Sequence, residues 1–438
     1  MSLEVLGLIM VASVFVAIMV GFHIAFTLII LGVIFGYIGI GQVVFDLMVY
    51  QFFQTMRTVV LAAVPLFLLM GYLLERAGLM DRLFRAFQLL LGPVRGSLYV
   101  ATLFVATIFA AATGIVGASV SIMGLMAGPA MRRSGYDTRL SAGTITAGGT
   151  LGILIPPSVM LVVMGPVVQV SVVRLFAAAI LPGLMLSALF IFYTMMRSFL
   201  QPEVGPALPP EERATSLLPV LKEFALGIVP PAFLVLATLG SILAGLATPT
   251  EGAAMGAFGA LVLVLAYRRL TVPLLVDAIY RTAVTSSMIL ILVAASNFFG
   301  SVFSRLGTTS FIAEGLLAFE LAPVAFLLVL LLIIFILGWP LEWVPIVVIV
   351  LPIFLPLVRD LGFDLVWFSI LVAVTLQTAW LSPPVALSAY FLKGVVPEWD
   401  LKDIYLGMMQ FMGLQMIGVL LLVFFPQIVL WLPGVLFD

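Results

Sequence analysis

Long apolar runs constrain this chain more than any other feature. They fall near 3–20, 22–41, 58–75, 97–131, 140–171, 173–200, 218–246, 252–267, 284–304, 322–358, 365–392 and 404–432. A bilayer core needs roughly 20 apolar residues per spanning helix. Lipid offers no partner to a free backbone amide or carbonyl, so such runs must be helical or line a cavity. Composition agrees: 64% of residues are apolar and 9% charged, against about half and about a quarter in a soluble domain. The expected fold class is an all-α polytopic membrane protein of about ten spans plus two re-entrant hairpins, surrounded by membrane lipids. A soluble enzyme and a disordered chain are excluded.

Polar chemistry is sparse. The net charge is −1 and the pI near 5.9, so no basic field exists for nucleic acid. The chain has no cysteine and one histidine, His23, too few for a zinc or haem site. None of Lys222, Lys393 and Lys402 sits in a phosphate-binding Gly-Lys loop. No cofactor, no ATP site and no enzymatic activity are expected. The start, MSLEVLGLIMVASVFVAIMVG, lacks a basic region and a small-residue cleavage site, which predicts a retained first span.

Basic residues set orientation. Residues 76–139 carry Arg76, Arg82, Arg85, Arg95, Arg132, Arg133 and Arg139; further clusters are Arg197, Arg213 and Lys222, and Arg268, Arg269 and Arg281. Residues 305–364 carry more acid than base. The first three regions are expected inside and the last outside, with both termini outside.

The two halves repeat at a constant offset of 227 residues. Pro129 matches Pro356, Arg132 matches Arg359, and Gly135-Tyr136-Asp137 matches Gly362-Phe363-Asp364. Leu154-Ile155-Pro156-Pro157 matches Leu381-Ser382-Pro383-Pro384. An odd number of crossings separates the copies, so the second is inverted, the pattern of secondary transporters. The expected organisation is N-terminal scaffold helices 1–57, repeat 1 over 58–200 and a polar linker 201–217. Scaffold helices 218–283, repeat 2 over 284–398 and a C-terminal span 399–438 follow. Stretches 42–57, 76–95, 270–283 and 305–321 are amphipathic and short, and are expected along the membrane surface.

Helix breakers at membrane depth mark where chemistry belongs. In repeat 1 they are Thr113-Gly114-Ile115-Val116-Gly117-Ala118-Ser119, and Gly148-Gly149-Thr150 running to Ile155-Pro156-Pro157-Ser158. In repeat 2 they are Gly338-Trp339-Pro340-Leu341-Glu342, and Thr375-Leu376-Gln377-Thr378 running to Ser382-Pro383-Pro384. Double proline removes two amide donors and frees carbonyls. With hydroxyls such as Ser119, Thr150, Thr378 and Ser382, these are hard oxygen ligands suited to Na⁺. Half-helix N-termini suit an anion. A single such motif is more often a packing kink than a site; two symmetric copies reverse that balance. Glu342 is either a functional acid at membrane depth or a solvated interfacial charge. Glu251 is expected to cap a helix with Thr248 or Thr250. Gly124-x-x-x-Gly128 and Gly252-x-x-x-Gly256 are expected to be close packing faces, and His23 structural or interfacial.

The run from Thr113 to Ser119, Pro129-Ala130-Met131, Gly135-Tyr136-Asp137 and Gly149-Thr150-Leu151-Gly152-Ile153-Leu154-Ile155-Pro156-Pro157-Ser158 resembles the large membrane (M, DctM-like) subunit of TRAP (tripartite ATP-independent periplasmic) transporters. So do Thr248-Pro249-Thr250-Glu251, Pro352-Ile353-Phe354-Leu355-Pro356, Leu376-Gln377-Thr378 and Ser382-Pro383-Pro384. The resemblance covers essentially the whole chain. It implies a Na⁺-driven importer in the bacterial inner membrane, with a small membrane subunit and a periplasmic substrate-binding protein as partners. It also implies a static scaffold and an elevator-like transport domain. By motif it places one Na⁺ site at Thr113, Gly114, Gly117, Ser119, Gly149, Thr150, Ile155 and Pro156. A second falls at Gly338, Pro340, Glu342, Thr375, Gln377, Thr378, Ser382 and Pro383. Ala118, Pro157, Ser158, Trp339 and Pro384 fall in the substrate region, and typical substrates are organic carboxylates. The sequence departs from many members at Glu342, where an Asp-Pro is common nearby, and at Leu376-Gln377-Thr378, where C4-dicarboxylate types often read Asn-Leu-Glu. A self-sufficient Na⁺ or H⁺/anion symporter of the same architecture, or a non-transporting structural subunit, are the alternatives to weigh.

Overall fold

The computed structural model describes residues 2–113, 116–209, 217–318, 322–339, 341–383 and 386–437. Gly114, Pro340 and Pro384 of the expected sites lie outside them, as does the side chain of Thr113. The described residues are helical, with no strand among them. Eight helices are long and apolar enough to cross a membrane by length and composition. Shorter apolar helices, Ser97–Phe109, Pro323–Leu337 and Leu365–Ala379 among them, complete the set. The chain is a multi-pass membrane protein.

The repeat is visible in local geometry. Gly135 and Gly362 both take the left-handed conformation, at φ 71° and 75°, where a Cβ is strained. Two residues on, Asp137 accepts the amide of Leu140 at 2.7 Å and Asp364 that of Trp367 at 2.9 Å. Each copy therefore leaves its hairpin by the same glycine turn and starts its next helix with the same N-cap.

The first hairpin is Ser97–Thr113 with Val116–Arg133; the second is Pro323–Leu337 with the helical stretch Trp343–Asp360. The returning limb of the second contains a π turn, Ile346–Val350, between Pro345 and Pro352, whose missing amides break the regular ladder. After each hairpin comes a broken helix: Thr138–Thr150 then Val159–Val168, and Leu365–Ala379 then Leu387–Val395.

Contacts at the ends show the inversion. The first broken helix starts at the base of the first hairpin and ends at Gln169, whose Oε1 accepts from Arg359 Nη2 at the base of the second, at 3.1 Å. The second starts beside Arg359 and ends at Val395, and Glu398 in the turn just after it pairs with Arg132 at the base of the first hairpin at 3.2 Å. The two bases therefore lie at opposite ends of the bundle. Glu398's own backbone amide, and then Arg132, hold its carboxyl below the ordinary range. The basic clusters gather at the Arg132 end: Arg139 pairs with Asp403 at 2.8 Å, and Arg82 lies over the Tyr267 ring.

The linker is partly structural. Gly96 N–H donates to Gly205 O at 2.9 Å, Leu208 N–H to Gly92 O at 3.0 Å, and Asp137 N–H to Val204 O at 3.0 Å, closing the base of the first hairpin. Of the amphipathic stretches, Val43–Arg57, Leu79–Leu91 and Thr308–Leu317 are separate short helices. Residues 270–283 are not. They form the start of one continuous helix, Val272–Arg305, because no glycine or proline interrupts the chain between Pro273 and Gly300. At about 1.5 Å per residue this helix exceeds the bilayer core.

Small residues set the packing. Cβ atoms at Gly124 and Gly128 would meet Leu392, Val395 and Val396 of the second broken helix. At Gly252 and Gly256 they would meet Ile242, Met70 and Thr238. Thr248 and Glu251 form a complete capping box. His23 occupies a helix N-cap position and packs on Phe26.

Candidate functional site

Each hairpin packs directly on the broken helix of its own repeat, the first through its returning limb and the second through Gly338 and Trp339. In repeat 1 a Cβ at Gly149 would lie 2.3 Å from Val120 Cγ2 and 3.0 Å from Val120 N. In repeat 2 a Cβ at Gly338 would lie 2.6 Å from Ala379 Cβ, and Trp339 Nε1 donates to Ser382 Oγ at 3.1 Å. Gly117 also approaches Phe391 in the other repeat, so the halves interlock.

In the first break, Leu151–Ile153 tightens into a 3-10 turn before Pro156 and Pro157. The Ser158 hydroxyl donates to Ile153 O, satisfying one carbonyl that the prolines leave without an amide. Ile155, Pro156, Pro157 and Ser158 are buried. In the second, the hydroxyls of Thr375 and Thr378 donate to Leu371 O and Val374 O at 2.8 and 2.9 Å, leaving lone pairs to accept. Ser119 is buried on the returning limb of the first hairpin.

The two expected Na⁺ sites are not isolated from one another. Gln377 Nε2 donates to Thr150 Oγ1 at 3.2 Å, and these residues are related by the 227-residue repeat. A residue touching its own repeat mate lies beside the pseudo-two-fold axis. Gln415, from the helix Leu401–Phe424, donates to the same hydroxyl at 3.3 Å. Thr150, Gln377 and Gln415 are fully buried, and Gln377 Oε1 and Gln415 Oε1 have no hydrogen-bond partner among the described residues. A dry acceptor left open is costly unless a ligand or water fills it. Sequence reading missed Gln415; its signal was that it is one of two amides, with Gln410, in the apolar stretch of Leu401–Phe424.

A cavity of about 610 Å³ opens beside the hairpin turns. One wall carries Gly117, Ala118 and Ser121 of the first hairpin, Glu342 and Trp343 of the second, and Trp380. The facing wall is made by Val59–Arg76 and Val272–Arg305, and contributes Tyr72, Glu75, Arg76, Arg281 and Thr285. Among the described residues of the expected substrate region, Ala118 alone lines this cavity. Trp339 lines a neighbouring one of about 180 Å³ that Glu342 and Trp380 share, and Pro157 and Ser158 line neither. Sequence reading missed the facing wall. Its trace was present as Asp277, Arg281 and Thr285 at i, i+4 and i+8, a polar stripe on an apolar helix. Tyr72 Oη and Thr285 Oγ1 meet at 2.9 Å, and Asp277 accepts from Arg76 at 2.7 Å and Arg281 at 3.0 Å, tying the two long helices together.

Comparison with known proteins follows this architecture. Residues 11–428 match the family model described as "Tripartite ATP-independent periplasmic transporter, DctM component". The isethionate TRAP transporter permease protein of Oleidesulfovibrio alaskensis is 28% identical over 90% of this chain, which spans 61% of that relative's length. The C4-dicarboxylate TRAP transporter large permease protein of Pseudomonas aeruginosa is 29% identical over 88% of each chain. Among solved structures, the Alcanivorax borkumensis YdaH transporter shares the fold, at TM-score 0.63 and 16% identity, covering 88% of this chain and 89% of its own. The chain belongs to the DctM component family of tripartite ATP-independent periplasmic transporters, as a DctM-like large membrane subunit.

Proposed function

We propose that this subunit imports a small carboxylate-bearing organic solute across the bacterial inner membrane, driven by Na⁺. The solute arrives on a periplasmic binding protein, and a small membrane subunit completes the complex. Two of the relatives carry isethionate and C4-dicarboxylate in their names, which supports an organic acid as cargo.

The observation that carries the reading is the pair of inverted helix breaks, each against a hairpin turn and joined on the axis by Thr150 and Gln377. Oxygen-rich, water-poor breaks suit a hard monovalent cation. On this reading the Na⁺ ligands are drawn from Gly117, Ser119, Gly149, Thr150, Ile155 and Pro156 on one side. Gly338, Thr375, Gln377, Thr378, Ser382 and Pro383 serve the other, whereas Glu342 lines the cavity described above. The unpartnered oxygen of Gln377 supports this set. The hairpins and broken helices would move as one body against the long helices of the facing wall, an elevator. A cavity between the two bodies is the geometry such movement needs.

The test uses Na⁺ alone. Purified full chain in nanodiscs is expected to unfold at higher temperature in NaCl than in KCl at equal ionic strength. Ser119→Ala and Pro156→Ala are expected to weaken that difference while inserting normally. An identical response to both salts, or an undiminished one in both variants, removes the Na⁺ assignment.

A further inference from the structure

The cavity is not built for a plain anion. Its lining holds two arginines, Arg76 and Arg281, and two glutamates, Glu75 and Glu342, a formal charge of zero. Asp277, which both arginines grip, takes the local balance to −1. A dicarboxylate entering this space meets a neutral to negative wall, where like charge at low dielectric is costly.

The charges are also separated. Glu342 stands on the hairpin wall, beside Trp343 and Trp380. Its carboxylate has no hydrogen bond and no ion pair within 4 Å among the described residues, and the one charged neighbour acting on it is His23. Arg281 stands on the opposite wall; only its Nε is bonded, to Asp277 at 3.0–3.1 Å, and both terminal amino groups remain for a ligand. An unpaired acid in a half-buried, aromatic-walled pocket calls for a cation, and tryptophan and tyrosine faces add cation–π attraction. A free guanidinium fork suits a carboxylate or sulfonate.

We propose that the cavity, with Glu342 and Arg281 on facing walls, selects a zwitterion: an organic ammonium at Glu342, Trp343 and Trp380, and a carboxylate or sulfonate at Arg281. This rests on the transport reading above and names its substrate class. The ammonium end sits on the body proposed to move. The acid end meets Arg281 on the wall it moves against, so Arg281 recognises cargo only where this cavity is open.

The experiment measures thermal unfolding of the full chain in nanodiscs, in NaCl, with six separate probes. Three are zwitterions of different charge separation: glycine betaine, taurine and γ-aminobutyrate. The others are succinate, gluconate and choline. At least one zwitterion is expected to raise the unfolding temperature, with no response to succinate, gluconate or choline. Glu342→Gln is expected to raise the half-maximal zwitterion concentration by about tenfold or more, and Glu342→Asp to restore most of it. If Glu342→Gln does not fold, Arg281→Gln carries the same expectation. A response to succinate, gluconate or choline without one to any zwitterion overturns the proposal. So does a wild type that responds to Na⁺ but to none of the probes, or an unchanged zwitterion response in Glu342→Gln. The NaCl against KCl difference reports separately on the transport reading.

Discussion

At the first hairpin, glycine lets the broken helix approach Val120 so closely that a Cβ at Gly149 would sit 2.3 Å from its side chain. At the matching position of the second repeat, the residue is Leu376, fully packed at 2% exposure. Other matched positions differ in chemistry rather than in one direction of size. Ile155 is matched by Ser382, whose hydroxyl holds Trp339, and Ser158, which satisfies a freed carbonyl, is matched by Val385. One backbone design thus serves two chemistries. The first copy minimises side chains so that backbone meets backbone. The second keeps a close approach of Gly338 to Ala379 and adds tryptophan and glutamate on its hairpin, where Glu342 and Trp343 line the cavity.

Substitution at the paired positions breaks this comparison most strongly. Gly149→Val forces a β-branched side chain into Val120 and is expected to destabilise by about 3 kcal/mol or more. Leu376→Ala leaves a void instead and is expected to cost about 2–5 kcal/mol. Reversible unfolding in mixed micelles measures both. A Gly149→Val protein as stable as wild type removes the close-approach account.

Smaller effects sharpen it. Ser158→Ala leaves Ile153 O without its partner, for an expected loss of about 1–2 kcal/mol, read from the unfolding midpoint. Ser158→Thr, which retains the hydroxyl, is expected to recover part of it. Trp339→Phe keeps an aromatic ring against Phe335 but removes the bond to Ser382, and hydrogen bonds within membranes average about 0.6 kcal/mol. A small stability loss is expected, with a raised Na⁺ concentration for half-maximal stabilisation. The smallest effect belongs to Arg139→Gln, an exposed side chain whose partner Asp403 is half-buried; pairs near the surface contribute about 1 kcal/mol or less. A thermal shift of several degrees there would show that this end carries more than surface charge.

Much of the fold was legible because its signals are local. Apolar run length gives spans, Gly135 and Gly362 give turns, and Asp137 and Asp364 give caps, each within a few residues. The repeat offset gave the pairing of hairpins with broken helices, since identical motifs impose identical local backbone. The reading failed where no local breaker marks an outcome. Residues 270–283 carry an amphipathic pattern that a surface helix and the start of a long helix share, and only packing against Val59–Arg76 distinguishes them.

The site divides the same way. Helix breaks at Pro156 and Pro383 follow from proline's missing amide, so chain chemistry alone places open backbone at membrane depth. That Thr150 meets Gln377 across the axis, that Gln415 joins them, and that Arg281 faces Glu342 across one cavity are long-range facts. They depend on how inverted copies interlock, and no sequence-local rule encodes a distance between residues on different helices. The sequence by itself determined the membrane environment, the repeat and its breaks, because backbone hydrogen bonding in lipid leaves few choices. Only the tertiary structure decided which polar side chains share a space, because helix packing sets which faces meet.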